Sequence, residues 1–425
     1  MTNPDHGITA EGGNGGEIFF PAEDLRARQW RDDPDAARIE AIRKAFPTEA
    51  EYDDVLTRKM ARRNSGHHVI PSIGEMTAHV ESFLHDHIGS DFTISDGGWL
   101  TGGASKIQFV FTLAWRDGAT PRTERLVVRM EPSESLNSTS RRRELEIIAA
   151  MEGVVPVPRA FWMDWEGKWF PQPAIIYSYV TGSTKPSRDR ARVSGTGMEF
   201  PPELREVLGP QFVAHLAAIH TRDLSGVEMK SFDRPQVGTT QSALWQLNRM
   251  RRVWEEDRGE DWPAVEHVVN WLQDNLPVLD VVSAIHGDYR SGNFLFDEPT
   301  GRMTAWLDWE RSYLGDRHRD LAWASTRLFG NMAEDGKTFL VSGLVPEERF
   351  FEEYEKLSGL SVDPKRLHYY RVFNTCQLVV SSLGTSYRVA RLHKSHQDVM
   401  LAIVEGAAFS LGREMLNALE GGSHG

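Results

Sequence analysis

The chain has 425 residues, 40% of them hydrophobic, which is enough for two or three domains with sizeable cores. Its net charge of −13 argues against a general nucleic-acid or anionic-membrane surface, because both require a basic field. No apolar stretch approaches the roughly 18 residues of a membrane span, and the N-terminus lacks the pattern of a secretory signal. Cys376 is the only cysteine, so an internal disulfide and a cysteine-rich zinc site are excluded. We therefore expect a cytoplasmic protein.

Residues 1–72 are predicted to form an N-terminal extension. Residues 1–18 are rich in glycine and polar residues, a composition typical of disorder. Apolar residues at helix spacing then predict helix between Pro34 and Arg63. The extension carries no chemical motif. It either packs against the rest of the chain or forms an oligomer contact, and the sequence predicts no oligomeric state.

Residues 73–180 are predicted to bind a nucleotide. The segment from Asp96 to Leu113 has the pattern of a strand, a glycine loop and a second strand. Within the loop, small residues let backbone N–H groups approach phosphates closely, and these residues are Gly102, Gly103 and Ser105. Such a loop alone is usually only a hairpin turn. Its place at the head of this region favours nucleotide binding.

The most informative motif lies further along the chain, where residues 286–293 read HGDYRSGN and residues 308–310 read DWE. Apolar strands and a turn between the two motifs predict a hairpin, which would place Asn293 and Asp308 within reach of one ion. Transfer of a phosphoryl group from a magnesium nucleotide requires a carboxylate beside the acceptor hydroxyl and oxygen ligands for the metal. Asp288 can supply the first, and Asn293 and Asp308 the second. Either aspartate alone would more simply be a surface turn residue, but the ordered set favours catalysis.

With these motifs the chain resembles the aminoglycoside phosphotransferase-like kinase family, over about residues 74–415. The resemblance implies an α+β, two-lobed protein-kinase-like fold. A small N-lobe with an antiparallel sheet would precede a larger, mainly helical C-lobe, residues 181–425, which would carry the catalytic loop and the acceptor pocket. It also implies Mg²⁺ as the cofactor and ATP or GTP as the co-substrate.

The resemblance assigns roles to the motif residues. It implies that Asp288 is the catalytic base and that Asn293 and Asp308 hold Mg²⁺. His286 would support the catalytic loop, and Asp320 would tie that loop to the helix beneath it. Arg290 stands where protein kinases carry a lysine that faces the transferred phosphate, although a solvated arginine is an equal alternative. The roles of His286, Arg290 and Asp320 follow from the positions of these residues in the motif.

The resemblance also implies roles in the N-lobe. Arg129 ends an apolar strand and would grip the nucleotide phosphates, and arginine is chemically suited to this because it stays charged and binds phosphate in a bidentate manner. Glu144 would pair with Arg129, with Glu146 as the alternative. For both glutamates, a solvated helix face competes with this interpretation. The backbone near Tyr177 and Tyr179 would bind the purine edge.

Two cationic stretches suggest the nature of the acceptor. One contains Trp245, Arg249 and Arg252, and the other contains Arg388, Arg391, His393, Lys394 and His396. Such stretches would repel a polycationic aminoglycoside and suit an anionic acceptor, for instance a carboxylate or a coenzyme A thioester. Residues 261–272 and 308–316 also resemble the branch of the family associated with acyl-CoA dehydrogenases, whose members can phosphorylate hydroxyacyl-CoA. Ordinary surface and packing roles for these residues remain an equal alternative.

The sequence as a whole predicts a small-molecule kinase that acts on a hydroxyl group, with a nucleotide and a small acceptor as partners. A second hypothesis is an antibiotic phosphotransferase that acts on aminoglycosides or macrolides. A third is a non-catalytic nucleotide-binding module. The third is disfavoured because the proposed base and both metal ligands are present.

Overall fold

The computed structural model describes residues 29–64, 69–100, 107–131, 136–187, 197–392 and 398–421. The glycine-loop residues Gly102, Gly103 and Ser105 lie outside this description, as do residues 1–18. None of the helices in the described ranges is both long and apolar enough to cross a lipid bilayer.

The N-terminal extension forms helices α1 (Gln29–Asp32), α2 (Ala36–Ala45) and α3 (Ala50–Ala61). Tyr52 on α3 is fully buried against Ile285 and Tyr313, which lie on two short strands of the C-terminal half. The extension therefore packs against the rest of the chain, which is the first of the two alternatives drawn from the sequence.

Helix α4 (Ile73–Ile88) begins at a capping box formed by Ser72 and Glu75. The Ser72 hydroxyl accepts a hydrogen bond from the backbone N–H of Glu75, and the Glu75 carboxylate accepts one from the backbone N–H of Ser72. This capping box satisfies two N–H groups that have no partner within the helix. The helix start then places the apolar face of α4 over the sheet that follows.

The sheet of the N-lobe has five antiparallel strands in the order β1-β2-β3-β5-β4. They are β1 (Phe92–Trp99), β2 (Ile107–Asp117), β3 (Thr120–Met130), β4 (Ala160–Asp164) and β5 (Ala174–Ser178). Because side chains alternate along a strand, Phe109 and Phe111 face Phe83 of α4 on one side. Val110 faces the opposite side, where it packs with Leu145 of helix α5 (Arg141–Met151).

The C-lobe is mainly helical. Its helices are α6 (Pro202–Thr221), α7 (Gln241–Asp257), α8 (Pro263–Asp274), α9 (His318–Ala324), α10 (Glu347–Ser358), α11 (Pro364–Val379), α12 (Tyr387–Leu392), α13 (Asp398–Gly406) and α14 (Ala408–Leu419). A π-helical segment, Val380–Ser386, joins α11 to α12. The larger hydrophobic core lies among these helices and includes Phe212, Tyr289, Trp306 and Phe350.

Short strand pairs hold the loops of the C-lobe. The first pair is β6 (Ser283–Ile285) with β9 (Tyr313–Gly315), and the second is β7 (Phe294–Asp297) with β8 (Arg302–Trp306). A third small sheet joins β10 (Asn331–Met332), β11 (Phe339–Val341) and β12 (Val345–Pro346). The α+β architecture predicted from the sequence, an antiparallel N-lobe sheet followed by a helical C-lobe, is confirmed.

Candidate active site

The loop that carries Asp288 is anchored to helix α9 by Asp320. The two oxygens of this buried carboxylate accept hydrogen bonds from the backbone N–H groups of His286 (2.7 Å) and Gly287 (2.8 Å). Gly287 has a φ of 80°, and a Cβ atom there would lie 2.6 Å from the carbonyl oxygen of Arg311. Only glycine fits this position, so the turn that presents Asp288 depends on Gly287 and Asp320 together.

Two side chains hold the carboxylate of Asp288. The indole N–H of Trp323 and Nε of Arg290 donate to its Oδ1, at 2.6 and 3.0 Å. Burial raises the pKa of Asp288, but the positive charges of Arg290 and Arg311 outweigh this and bring the pKa below its ordinary value. Asp288 is therefore an ionised carboxylate at neutral pH, fixed in orientation and half-buried.

The hairpin β7–β8 brings the two candidate metal ligands to the same place. Leu307 N donates to the backbone oxygen of Asn293 at 2.8 Å, and Asn293 Nδ2 donates to the backbone oxygen of Asp288 at 2.8 Å. His286 Nε2 also contacts the backbone oxygen of Leu307 at 3.0 Å. Through these bonds, Asn293 lies between the catalytic loop and Asp308, which follows β8 by two residues.

The donor atoms fit a magnesium ion. The amide nitrogen of Asn293 is occupied by the Asp288 carbonyl, which leaves its amide oxygen as the ligand atom. Asp308 adopts a left-handed turn with φ 59°, and its side chain is 36% exposed. Mg²⁺ prefers one or two such oxygen ligands together with substrate phosphates and water. In the described part of the chain, no group of three or more histidine, cysteine or acidic residues is suited to hold a metal.

Arg129, at the end of β3, is surrounded by carboxylates. Its Nε lies 3.1 Å from Oε1 of Glu144, and its Nη2 lies 2.5 Å from Oδ1 of Asp308 and 2.9 Å from Oε2 of Glu310. Burial lowers the pKa of Arg129, but Glu144 and Asp308 more than offset this, so its pKa lies well above the ordinary value. Of the two glutamates considered from the sequence, Glu144 is the one that contacts Arg129. Glu146 accepts instead from the hydroxyl of Ser231, at 2.6 Å.

Sequence reasoning missed two members of this cluster. Arg141 is buried, forms an ion pair with Glu144 and lies 3.5 Å from Glu310. The i, i+3 spacing of Arg141 and Glu144 on α5 was an available signal for their contact. Glu310 is the last residue of the DWE motif, but its position in the sequence gives no sign that it contacts Arg129. The cluster thus joins β3, α5 and the turn after β8.

The purine-edge prediction concerns Tyr177, which lies in β5, and Tyr179, which follows the end of that strand. The backbone N–H of Tyr179 donates to the carbonyl of Arg125 at 2.8 Å, so the sheet already uses this group. Tyr177 is buried, and its hydroxyl lies near Arg129. Burial raises the pKa of Tyr177 to about 12, although Arg129 opposes the shift. The Tyr177 side chain thus faces the charged cluster around Arg129, and the binding of the purine edge by the backbone stays a prediction.

A second group of arginines lies on the Asp288 side of the site. The guanidinium carbons of Arg311 and Arg319 lie 4.7 and 4.9 Å from the ring centre of Trp323, the residue that holds Asp288. Burial lowers the pKa of Arg311, and the nearby charge of Arg249 on α7 lowers it further. Within the described ranges, Arg249, Arg311 and Arg319 have no carboxylate partner within 4 Å. Arg319 donates instead to the neutral side chains of Asn374 and Gln377.

Other arginines of the predicted cationic stretches are structural, which corrects the expectation that they face an acceptor. Arg252 is fully buried and pairs with Asp53 (2.5 Å) and Glu256 (2.7 Å). Arg388 is also buried, and its Nε lies 2.9 Å from Asp257. Arg391 pairs with Asp32 of α1 at the surface. His393, Lys394 and His396 lie outside the described residues.

Known proteins resemble this chain at the level of sequence and of fold. A model of the phosphotransferase enzyme family matches residues 111–354, more than half of the chain. Acyl-CoA dehydrogenase family member 11 of Gallus gallus is 30% identical over 183 residues, 41% of this chain and 23% of that protein. Family member 10 of Mus musculus is 27% identical over 202 residues, 47% of this chain and 18% of that protein. The matches thus span less than a quarter of the length of these two relatives.

A solved structure shows the same fold. A protein assigned as an aminoglycoside phosphotransferase from Ralstonia eutropha superposes with a TM-score of 0.59 and 20% sequence identity. The superposition covers 82% of this chain and 99% of that one. At this level of identity the likeness supports the two-lobed fold and leaves the acceptor open.

Proposed function

The chain belongs to the phosphotransferase enzyme family, whose acceptor is an alcohol group, and on that premise we propose that it transfers the terminal phosphate of ATP, or of GTP, to a hydroxyl of a small anionic acceptor. The observation that carries the proposal is the hydrogen-bonded path from Asp288 through Asn293 to Leu307, which directly precedes Asp308. This path supports the proposal that the Asp288 carboxylate and the side-chain oxygens of Asn293 and Asp308 serve one cleft.

In the proposed reaction, Asp288 orients the hydroxyl of the acceptor and takes its proton. The hydroxyl oxygen forms a bond to the terminal phosphorus, and the bond from that phosphorus to the bridging oxygen of the nucleoside diphosphate breaks. Trp323 and Arg290 fix the carboxylate of Asp288, so little reorganisation is needed during the transfer. Because its pKa is lowered, Asp288 is ready as a base at neutral pH.

Asn293 and Asp308 are the proposed ligands of Mg²⁺. These two residues would hold the ion, which would neutralise part of the charge on the phosphates. Arg129 supplies a permanently charged guanidinium to the same side of the cleft, and Glu144 and Glu310 hold it in place.

The charge around Asp288 supports an anionic acceptor. Half-buried or buried arginines without a carboxylate partner are costly, and an anion that binds among them removes that cost. Arg249, Arg311 and Arg319 form such a group within the described residues. A polycationic aminoglycoside would be repelled by the same charges. The similarity to acyl-CoA dehydrogenase family members makes a hydroxyacyl thioester of coenzyme A a reasoned first candidate.

The test is a transfer assay with purified protein, Mg²⁺ and ATP or GTP labelled in the terminal phosphate. The acceptors are hydroxyacyl-CoA compounds and free hydroxy acids, with aminoglycosides and macrolides as the comparison set. We expect label on the anionic hydroxyl compounds and none on the aminoglycosides. Transfer to an antibiotic alone would contradict the anionic-acceptor proposal, and the absence of nucleotide binding in Mg²⁺ would contradict the kinase proposal.

A further inference from the structure

The start of helix α3 lies at the junction of the elements that hold Arg129. Glu49, directly before α3, is 1% exposed. Its Oε1 lies 3.1 Å from Nη1 of Arg143 on α5, and its Oε2 accepts a hydrogen bond from the amide of Gln246 on α7 at 3.0 Å. A buried carboxylate with two such partners fixes the relative position of α5 and α7.

Glu51 contacts α5 one turn earlier. The hydroxyl of Ser140 donates to the Glu51 carboxylate. Ser140 is also the N-cap of α5, because its hydroxyl oxygen accepts from the backbone N–H of Arg143 at 3.1 Å. The extension therefore holds the first turn of α5, the turn that carries Glu144.

Tyr52 touches the other element that supplies a partner to Arg129. Its hydroxyl donates to the backbone oxygen of Ser312 at 3.2 Å, two residues after Glu310. The guanidinium carbon of Arg143 lies 4.3 Å from the centre of the Tyr52 ring, and that of Arg249 lies 3.4 Å from it. Tyr52 thus connects α5, the turn after β8 and the arginine group near Asp288.

We infer that Glu49, Glu51 and Tyr52, which we call the brace, position Glu144 and Glu310 and thereby prepare Arg129 for the nucleotide. The three are positioning residues, since none of them contacts Arg129. The brace lies outside residues 111–354, the segment matched by the family model, so it is a contribution of the extension to the active site. This inference rests on the proposed kinase function.

The physical basis is the adjacency of Arg143 and Glu144 on α5. Without the charge of Glu49, the buried Arg143 loses its ion pair and keeps the carbonyl oxygen of Ser231, the side chains of Tyr52 and Phe232, and the nearby charge of Glu51. An underpaired buried arginine moves towards water or another acceptor, and α5 moves with it. The Glu144 carboxylate would then leave its place beside Arg129.

The experiment measures the KM for MgATP and kcat in Glu49→Gln and Tyr52→Phe. Both variants preserve side-chain size, and Asp54→Asn, on the exposed side of α3, is the matched control. Loss of one charged buried hydrogen bond corresponds to about a tenfold change, which we expect in the KM for MgATP of Glu49→Gln. We expect a smaller rise of a few-fold for Tyr52→Phe, an unchanged kcat in both, and wild-type constants for Asp54→Asn.

A double variant tests whether the brace acts through Glu144. If it does, Glu49→Gln raises the KM for MgATP in the wild-type background but adds little in a Glu144→Gln background. A purely structural role would give equal increments in the two backgrounds and overturns the inference. A wild-type KM for MgATP in both folded single variants also overturns the inference. If Glu49→Gln does not fold, the result for Tyr52→Phe alone decides. Failure of the wild-type protein to bind MgATP overturns the kinase proposal and the brace with it, whereas loss of the brace effect alone leaves the kinase proposal standing.

Discussion

The two sides of the active-site cleft have opposite charge patterns. On the N-lobe side, two buried cations are surrounded by three carboxylates: Arg129 and Arg141 lie among Glu144, Asp308 and Glu310. On the C-lobe side, cations outnumber the one catalytic carboxylate: Arg290 and Arg311 act on Asp288, Arg249 acts on Arg311, and Arg319 lies against Trp323. Among the described residues, carboxylates are therefore in excess on the first side and arginines on the second.

The contrast indicates what each side binds. An excess of carboxylate near Asn293 suits a divalent cation, which a nucleotide brings with its phosphates. An excess of arginine near Asp288 suits an anionic group on the acceptor. The two substrates are therefore complemented by different residues, and substitutions on either side should separate their effects.

The largest effect is expected on the C-lobe side from Asp288→Asn. General base catalysis contributes about 10²–10⁴-fold, so transfer of labelled phosphate should fall by that factor. Nucleotide binding in Mg²⁺ should persist, because the N-lobe cluster is untouched. Titration calorimetry with a non-hydrolysable ATP analogue checks the binding. A wild-type rate of transfer would remove the base assignment.

On the N-lobe side, Asp308→Ala and Glu310→Gln should differ in their response to metal. Asp308 is the proposed ligand, and its loss should weaken nucleotide binding in Mg²⁺ by about 100-fold, with little change in EDTA. Glu310 pairs with Arg129 and Arg141, so Glu310→Gln should weaken binding by about tenfold both with and without the metal. Equal affinity of wild type and Asp308→Ala in Mg²⁺ would contradict the ligand role.

The anionic acceptor is tested by Arg311→Ala. Loss of one charged contact should raise the KM for an anionic acceptor by about tenfold and leave that for a neutral alcohol unchanged. Arg391→Ala is the matched control, because Arg391 pairs with Asp32 at the surface. If both acceptors are affected equally, Arg311 acts through the position of Trp323 and the charge argument does not hold.

Local motifs explain what the sequence could predict. Asp288, Asn293 and Asp308 are separated by one loop and one hairpin, so their spacing alone implies that they meet. The family, the two-lobed fold and the phosphotransferase class followed from these motifs and are confirmed. The roles of the individual residues stay predictions. Arg129 and Glu144 were paired through the resemblance, and the structure places them 3.1 Å apart.

Long-range contacts explain what the sequence could not predict. Trp323 reaches Asp288 only because α9 packs beneath the catalytic loop. Arg249 and Arg252 lie three positions apart on α7, yet Arg249 lies over the ring of Tyr52 and Arg252 is buried against Asp53 of the extension. Periodicity identifies a helix face but not the carboxylates that a distant segment places beside it. The contact of Tyr52 with Ser312 could not be predicted for the same reason.

The smallest expected effect is a pH shift, which follows from the cations around Asp288. Arg290 and Arg311 lower the pKa of Asp288 against the opposing effect of burial, so the acid limb of kcat/KM should lie below the ordinary aspartate value of about 3.9. A bound anionic acceptor offsets those cations and should raise the pKa, which makes Asp288 a stronger base in the complex. The acid limb of kcat should then lie at higher pH than that of kcat/KM.

The acceptor for this measurement should carry an anion that does not titrate over the range studied. In Arg311→Ala the acid limb of kcat/KM should move up towards that of kcat, whereas Arg391→Ala should leave both in place. Coincident limbs in the wild-type enzyme would show that the acceptor does not neutralise the arginines around Asp288.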